Sequence, residues 1–175
     1  MPPLEVALGP WHEFYGLLGT ASATMIGLLF VAATVGAGVF SSSRRAALRI
    51  FLSASVVNFN NILASSLIVV SPLRNWTLFG VLIAACGVFG LAHSGLAWRD
   101  TLRDGLIASI DLEDRTWYVA LPVLGYLLMA GSGVALGLQI DLGCVALAVS
   151  TGMLLLIGLH NAWDITLWII TRRRQ

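Results

Sequence analysis

The chain has 175 residues, 58% of them hydrophobic and only 11% charged, with a formal net charge of +1. A soluble domain carries about a quarter charged residues, so this balance belongs to the membrane class. All ten basic residues are arginine. Without lysine, no Schiff base to retinal or pyridoxal phosphate can form and no lysine can serve as a base.

Five stretches reach the roughly 20 apolar residues that a spanning helix needs. Ahead of the first, residues 1–9 lack a positive n-region and carry Glu5. A cleaved signal is therefore not expected, and the first helix is retained. That helix is predicted over Phe14–Phe40 and ends at Ser41–Ser42–Ser43–Arg44–Arg45. Gly16, Thr20, Thr24, Gly27, Val31, Thr34 and Gly38 recur along it in steps of three and four. Small residues at this spacing let helices approach closely, so a packing face is expected. The alternative is a pore lining at an oligomer axis. Trp11, His12, Glu13, Phe14 and Tyr15 form an aromatic and charged cluster suited to anchoring at the interface.

The second helix is predicted over Leu48–Val70, where Ser55, Asn58, Asn61 and Ser65 make one polar face and Asn60 points elsewhere. Ser71–Pro72–Leu73–Arg74–Asn75 reads as a tight turn. Asn75–Trp76–Thr77 matches a glycosylation sequon by chance. The third helix, Trp76–Trp98, carries Cys86 and His93. The connection 99–116 holds eight charged residues, and Leu102, Leu106 and Ile110 recur within it every four residues. This spacing suits a short amphipathic helix on the membrane surface; a solvated connection is the other reading. The fourth helix, Trp117–Leu138, contributes Tyr126, and its Gly131–Ser132–Gly133 is ordinary for a membrane span. After a turn at Gln139–Leu142 comes the fifth and longest helix, Gly143–Ile170, with His160, Asn161 and Asp164 on one face.

Arginine placement sets the expected orientation. With the N-terminus outside, nine arginines fall on the inner side and only Arg74 on the outer. Trp11 and Trp76 then lie at the outer interface, and Trp98, Trp117 and Trp168 at the inner one.

Polar groups inside a bilayer are costly and are the natural functional candidates. Asn58, Asn61, His93, Tyr126, His160, Asn161 and Asp164 come from four helices at similar depth, with Asp164 about two turns from the inner end and His160 nearer the middle. They could line a path for ions, protons or small solutes. They could equally be interhelical glue, worth about 1 kcal/mol per hydrogen bond. Cys86 and Cys144 differ too much in depth for a disulfide. His12, His93 and His160 do not group for a metal or haem. No paired acids, nucleophile–base set or metal cluster suggests an enzyme.

Two segments carry a resemblance: W-H-E-F-Y-G-L-L-G-T-A-S-A-T-M-I-G-L-L-F-V-A (Trp11–Ala32) and G-L-H-N-A-W-D (Gly158–Asp164). They resemble a group of small polytopic bacterial inner-membrane proteins, some labelled modulator of a membrane-anchored AAA+ protease. The resemblance implies a bacterial inner-membrane location and supplies no catalytic residues.

The expectation is an all-α integral membrane protein forming a single transmembrane bundle over residues 1–175. It has five spans, an outside N-terminus and a cytoplasmic C-terminus. The expected function is an oligomeric channel or passive conduit for ions or small solutes. The alternative is a non-enzymatic scaffold or modulator that binds a membrane protein partner through the 99–116 connection and the arginine tail. Its surroundings are the lipid bilayer and further copies of itself; neither a cofactor nor nucleic acid is expected.

Overall fold

In a computed structural model the chain is helical throughout its described residues, which are 2–37, 42–103 and 116–172 for the backbone and 2–34, 55–96 and 116–164 for side chains. A short helix α1 (Leu4–Leu8) leads through a 3-10 turn (Gly9–Trp11) into α2 (His12–Ala37). Then come α3 (Ser42–Val70), α4 (Trp76–Arg103), a π turn (Thr116–Ala120), α5 (Leu121–Gly137) and α6 (Leu142–Arg172). Among the described residues, four segments are long and apolar enough to cross a membrane: Leu4–Thr34, Trp76–Leu96, Thr116–Gly137 and Leu142–Asp164. In α3 the side chains described, Ser55–Val70, are also apolar overall.

The helix boundaries follow local chemistry. Pro10 lacks the N–H that a continuous helix would need, and the 3-10 turn falls around it. The first span therefore begins at Leu4, ten residues before the expected Phe14. Leu4, Leu8, Tyr15, Leu18 and Leu29 share one face and are buried in the common core.

At the start of α4, Asn75 is a cap: its Oδ1 accepts the Leu78 N–H at 3.0 Å. Pro122 sits in the first turn of α5. The widened turn ahead of it gives room where a proline ring would otherwise press on the carbonyl four residues back. Between α5 and α6 the Gln139 N–H bonds the Leu136 carbonyl and the Ile140 N–H bonds the Ala135 carbonyl, both at 2.9 Å. This is a Schellman turn, with Gln139 at φ 61° where glycine is the usual occupant.

The connection expected over 99–116 is shorter at its first end, because α4 continues through Arg103 and takes Leu102 with it. Leu106, Ile110 and the acidic residues Asp111, Glu113 and Asp114 lie outside the described residues.

Among the helices, α4 and α5 pack most intimately, then α2 on α3 and α5 on α6, while α3 also leans on α4 and α6. Glycine makes the α4–α5 seam possible. A Cβ built on Gly80 would lie 2.5 Å from the Gly133 carbonyl oxygen, and one on Gly87 2.8 Å from the Ala130 Cα. The backbones themselves are in contact there. Phe59, Ile62, Phe79, Ile83, Met129, Leu136 and Leu154 fill the centre with no exposed surface.

Helix α2 is peripheral. Only 17% of its span window is buried, against 44% for the window in α6. Its buried face carries Tyr15, Leu18, Gly19, Ser22 and Leu29, and Gly19 abuts Ser66 of α3. The Gly/Thr face, expected to pack against a helix or to line a pore at an oligomer axis, turns out of the protomer. Gly16, Thr20, Thr24, Gly27 and Thr34 are all exposed, and a Cβ on Gly16 or Gly27 would meet nothing within 4 Å. Each threonine hydroxyl donates back to its own helix, Thr20 to Gly16, Thr24 to Thr20 and Thr34 to Val31. These hydroxyls thus satisfy themselves without water or a partner, which suits a lipid-facing surface.

Candidate functional site

Asn58 sits at the junction of three helices. Its Nδ2 donates to the Leu154 carbonyl of α6 at 2.9 Å, and its Oδ1 accepts the Tyr126 hydroxyl of α5 at 2.9 Å. Glycine at 158 lets it come so close. The Leu154 carbonyl already receives the N–H one turn on in the helix, and its second lone pair is free for Asn58. A Cβ on Gly158 would lie 3.1 Å from Asn58 Nδ2 and 2.9 Å from Phe59 Cζ. Gly90 does the same for Tyr126, since a Cβ there would run into the tyrosine ring. Asn61, one turn from Asn58, also lies within reach of the Tyr126 hydroxyl.

Around this junction several polar atoms are buried without a partner. Among the described residues they are Tyr15 Oη, Ser22 Oγ, Ser55 Oγ, Asn61 Nδ2, Ser66 Oγ, His93 Nε2 and Asn161 Oδ1. A native structure leaves few such groups, and each calls for a physical account. Ser65, Ser132, Ser150 and Thr151 are equally buried but return their hydroxyl protons to carbonyls of their own helices. The unpartnered groups are therefore not a general property of the serines here.

Along α3, Ser55, Asn61 and Ser66 cover roughly 16 Å of helix at about 1.5 Å per residue. His93 is one turn on from Gly90, which faces Tyr126. Asn161 is one turn on from Gly158, which faces Asn58. Ser22 is one turn on from Gly19, which faces Ser66. Tyr15 lies close to the Thr151 and Cys144 side chains of α6.

The remaining candidates are His160 and Asp164. His160 stacks on Trp117, with ring centroids 3.9 Å apart and planes inclined by 23°. That contact places His160 beside the π turn that precedes α5. Asp164, one turn further along α6, is half-buried. No charged side chain is buried among the described residues. In the same set no three His, Cys, Asp or Glu side chains group to hold a metal ion. Cys86 and Cys144 are free thiols.

The structure thus joins Asn58 and Tyr126 directly, places Asn61 one turn from Asn58, sets His93 and Asn161 one turn from Gly90 and Gly158, and stacks His160 on Trp117. Sequence reasoning missed Tyr15, Ser22 and Ser66 as part of the buried polar set. It also missed the Gly90 and Gly158 seats, for which the signal was a glycine opposite each large polar side chain. No protein-family model, curated protein or solved structure matches this chain.

Proposed function

We propose that this is a five-span protein of the bacterial inner membrane, with its N-terminus outside and its C-terminus in the cytoplasm, and that it is a passive conduit for ions or small solutes. The orientation rests on the nine-to-one arginine distribution. On this reading α3 is the fifth span, with its first turns and their arginines at the cytoplasmic surface. The chain works as a homo-oligomer. Gly16 and Gly27 leave open space on the outer face of α2, where another copy can approach closely.

The observation that carries the conduit reading is the run of buried, unpartnered polar atoms along α3 and its neighbours. Helix-to-helix glue would pair such groups, as Asn58 is paired. Groups left open along the bundle interior are suited to exchange hydrogen bonds with something that passes. In this closed arrangement the Tyr126–Asn58 hydrogen bond crosses the interior, and Phe59, Ile62 and Met129 seal it beyond. Conduction then requires these groups to part.

The test is flux into liposomes and current across planar bilayers, with wild type beside Asn58→Leu and Asp164→Asn. Transport altered by Asn58→Leu in a folded, assembled protein supports the reading. Silence from such a sample across voltage and pH refutes it. The exposed face of α2 favours a second reading, a scaffold or modulator that grips a membrane protein partner; that function would survive Asn58→Leu.

A further inference from the structure

We infer that the solute class is water and small neutral hydrogen-bonding molecules such as short polyols, and that ions are refused; this inference rests on the conduit reading above. The unpartnered atoms are chemically mixed. Asn61 Nδ2 can only donate and Asn161 Oδ1 can only accept, while Ser22, Ser55, Ser66 and Tyr15 offer hydroxyls that do either. His93 Nε2 does one or the other according to its tautomer.

A cation needs a ring of acceptors in place of its hydration shell, and an anion needs donors or positive charge. Neither is assembled here: among these atoms Asn61 Nδ2 is the one fixed donor and Asn161 Oδ1 the one fixed acceptor, and the other groups serve as either. No full charge offsets the cost of bringing an ion into this interior, since no charged side chain is buried among the described residues. A molecule that both donates and accepts, such as water or a polyol, can bond each of these atoms in turn. Ser55, Asn61, Ser66 and Asn161 are each at least nine-tenths buried, so any such molecule meets them away from bulk solvent.

The deciding experiment uses the full chain in proteoliposomes. Stopped-flow light scattering reads water and glycerol permeability, and potassium and proton dyes read ion flux in the same preparation. The expected result is osmotic permeability severalfold above protein-free liposomes, with no potassium or proton flux. Asn61→Leu should reduce the permeability severalfold. Ser66→Ala, which removes one small hydroxyl and leaves the packing in place, should reduce it less. Ion flux without osmotic flux overturns this inference and leaves the conduit standing. The absence of both from folded protein overturns the conduit itself. Osmotic flux that neither variant lowers also overturns the assignment to these atoms.

Discussion

The Asn58–Tyr126 hydrogen bond offers the sharpest quantitative check on the bundle interior. Tyr126→Phe removes the donor while keeping the ring that rests on Gly90. Interhelical hydrogen bonds in membranes average about 0.6 kcal/mol and reach about 1.7 kcal/mol. A buried acceptor left alone adds about 1 kcal/mol or more. Tyr126→Phe should therefore destabilise by about 1 kcal/mol. Asn58→Leu removes this bond and the one to the Leu154 carbonyl, so it should cost about 2 kcal/mol. The double variant should cost less than the two single costs together, by about 1 kcal/mol, because the shared bond is lost only once. Equilibrium unfolding of the four proteins by dodecyl sulfate titration in mixed micelles gives the cycle. Additivity to within about 0.3 kcal/mol would mean that the two side chains do not interact and would refute this reading.

Other substitutions should sort by where each glycine faces. Gly80→Ala, whose new Cβ would lie 2.5 Å from Gly133 backbone oxygen, should destabilise by more than about 2 kcal/mol in the same titration. Gly27→Ala meets nothing within 4 Å in the protomer and should leave its unfolding titration within about 1 kcal/mol of wild type, while weakening self-association read by cross-linking, because the added methyl holds another copy off this face of α2. Gln139→Gly should raise the thermal midpoint in detergent, since it relieves about 1 kcal/mol of left-handed backbone cost at φ 61°. Trp117→Ala should cost about 1 kcal/mol through the lost ring stack on His160, and Trp117→Phe should recover most of it.

The helices were legible because a bilayer allows little else: a run of apolar residues must satisfy its own backbone. The proline–asparagine cluster then marked its turn well, whereas Ser42–Ser43–Arg44–Arg45, expected as a break before a helix at Leu48, is taken into α3, which begins at Ser42. The polar face of α3 was also legible. Ser55, Asn58, Asn61 and Ser65 are all buried while Asn60 is exposed, as their spacing requires. The facing of α2 was not legible. In water an apolar stripe points to the core, but in lipid both sides of a helix are apolar and small residues serve either side. Tyr15 shows the same limit. Its neighbours Trp11 and Phe14 belong to an edge-to-face aromatic group, yet Tyr15 itself turns into the core and is almost wholly buried. The depth of His160 was not legible, because α6, at 31 residues and about 46 Å, is longer than a bilayer core. Counting inward from one end of such a helix does not locate the membrane.

The contact between α4 and α5 has a consequence for how this sequence can drift. Gly80 and Gly133 meet backbone to backbone, so neither position has a side chain opposite that could shrink to make room. In an ordinary core, an enlarged residue can be rescued by trimming its neighbour. Here nothing remains to trim, and rescue requires the two helices to separate along the whole seam. That separation would also shift Tyr126, which rides on α5 above Gly90 of α4, and with it the hydrogen bond to Asn58. Substitution at these glycines is therefore irreversible by local repair, and its effects would reach the polar interior although neither Gly80 nor Gly133 touches it.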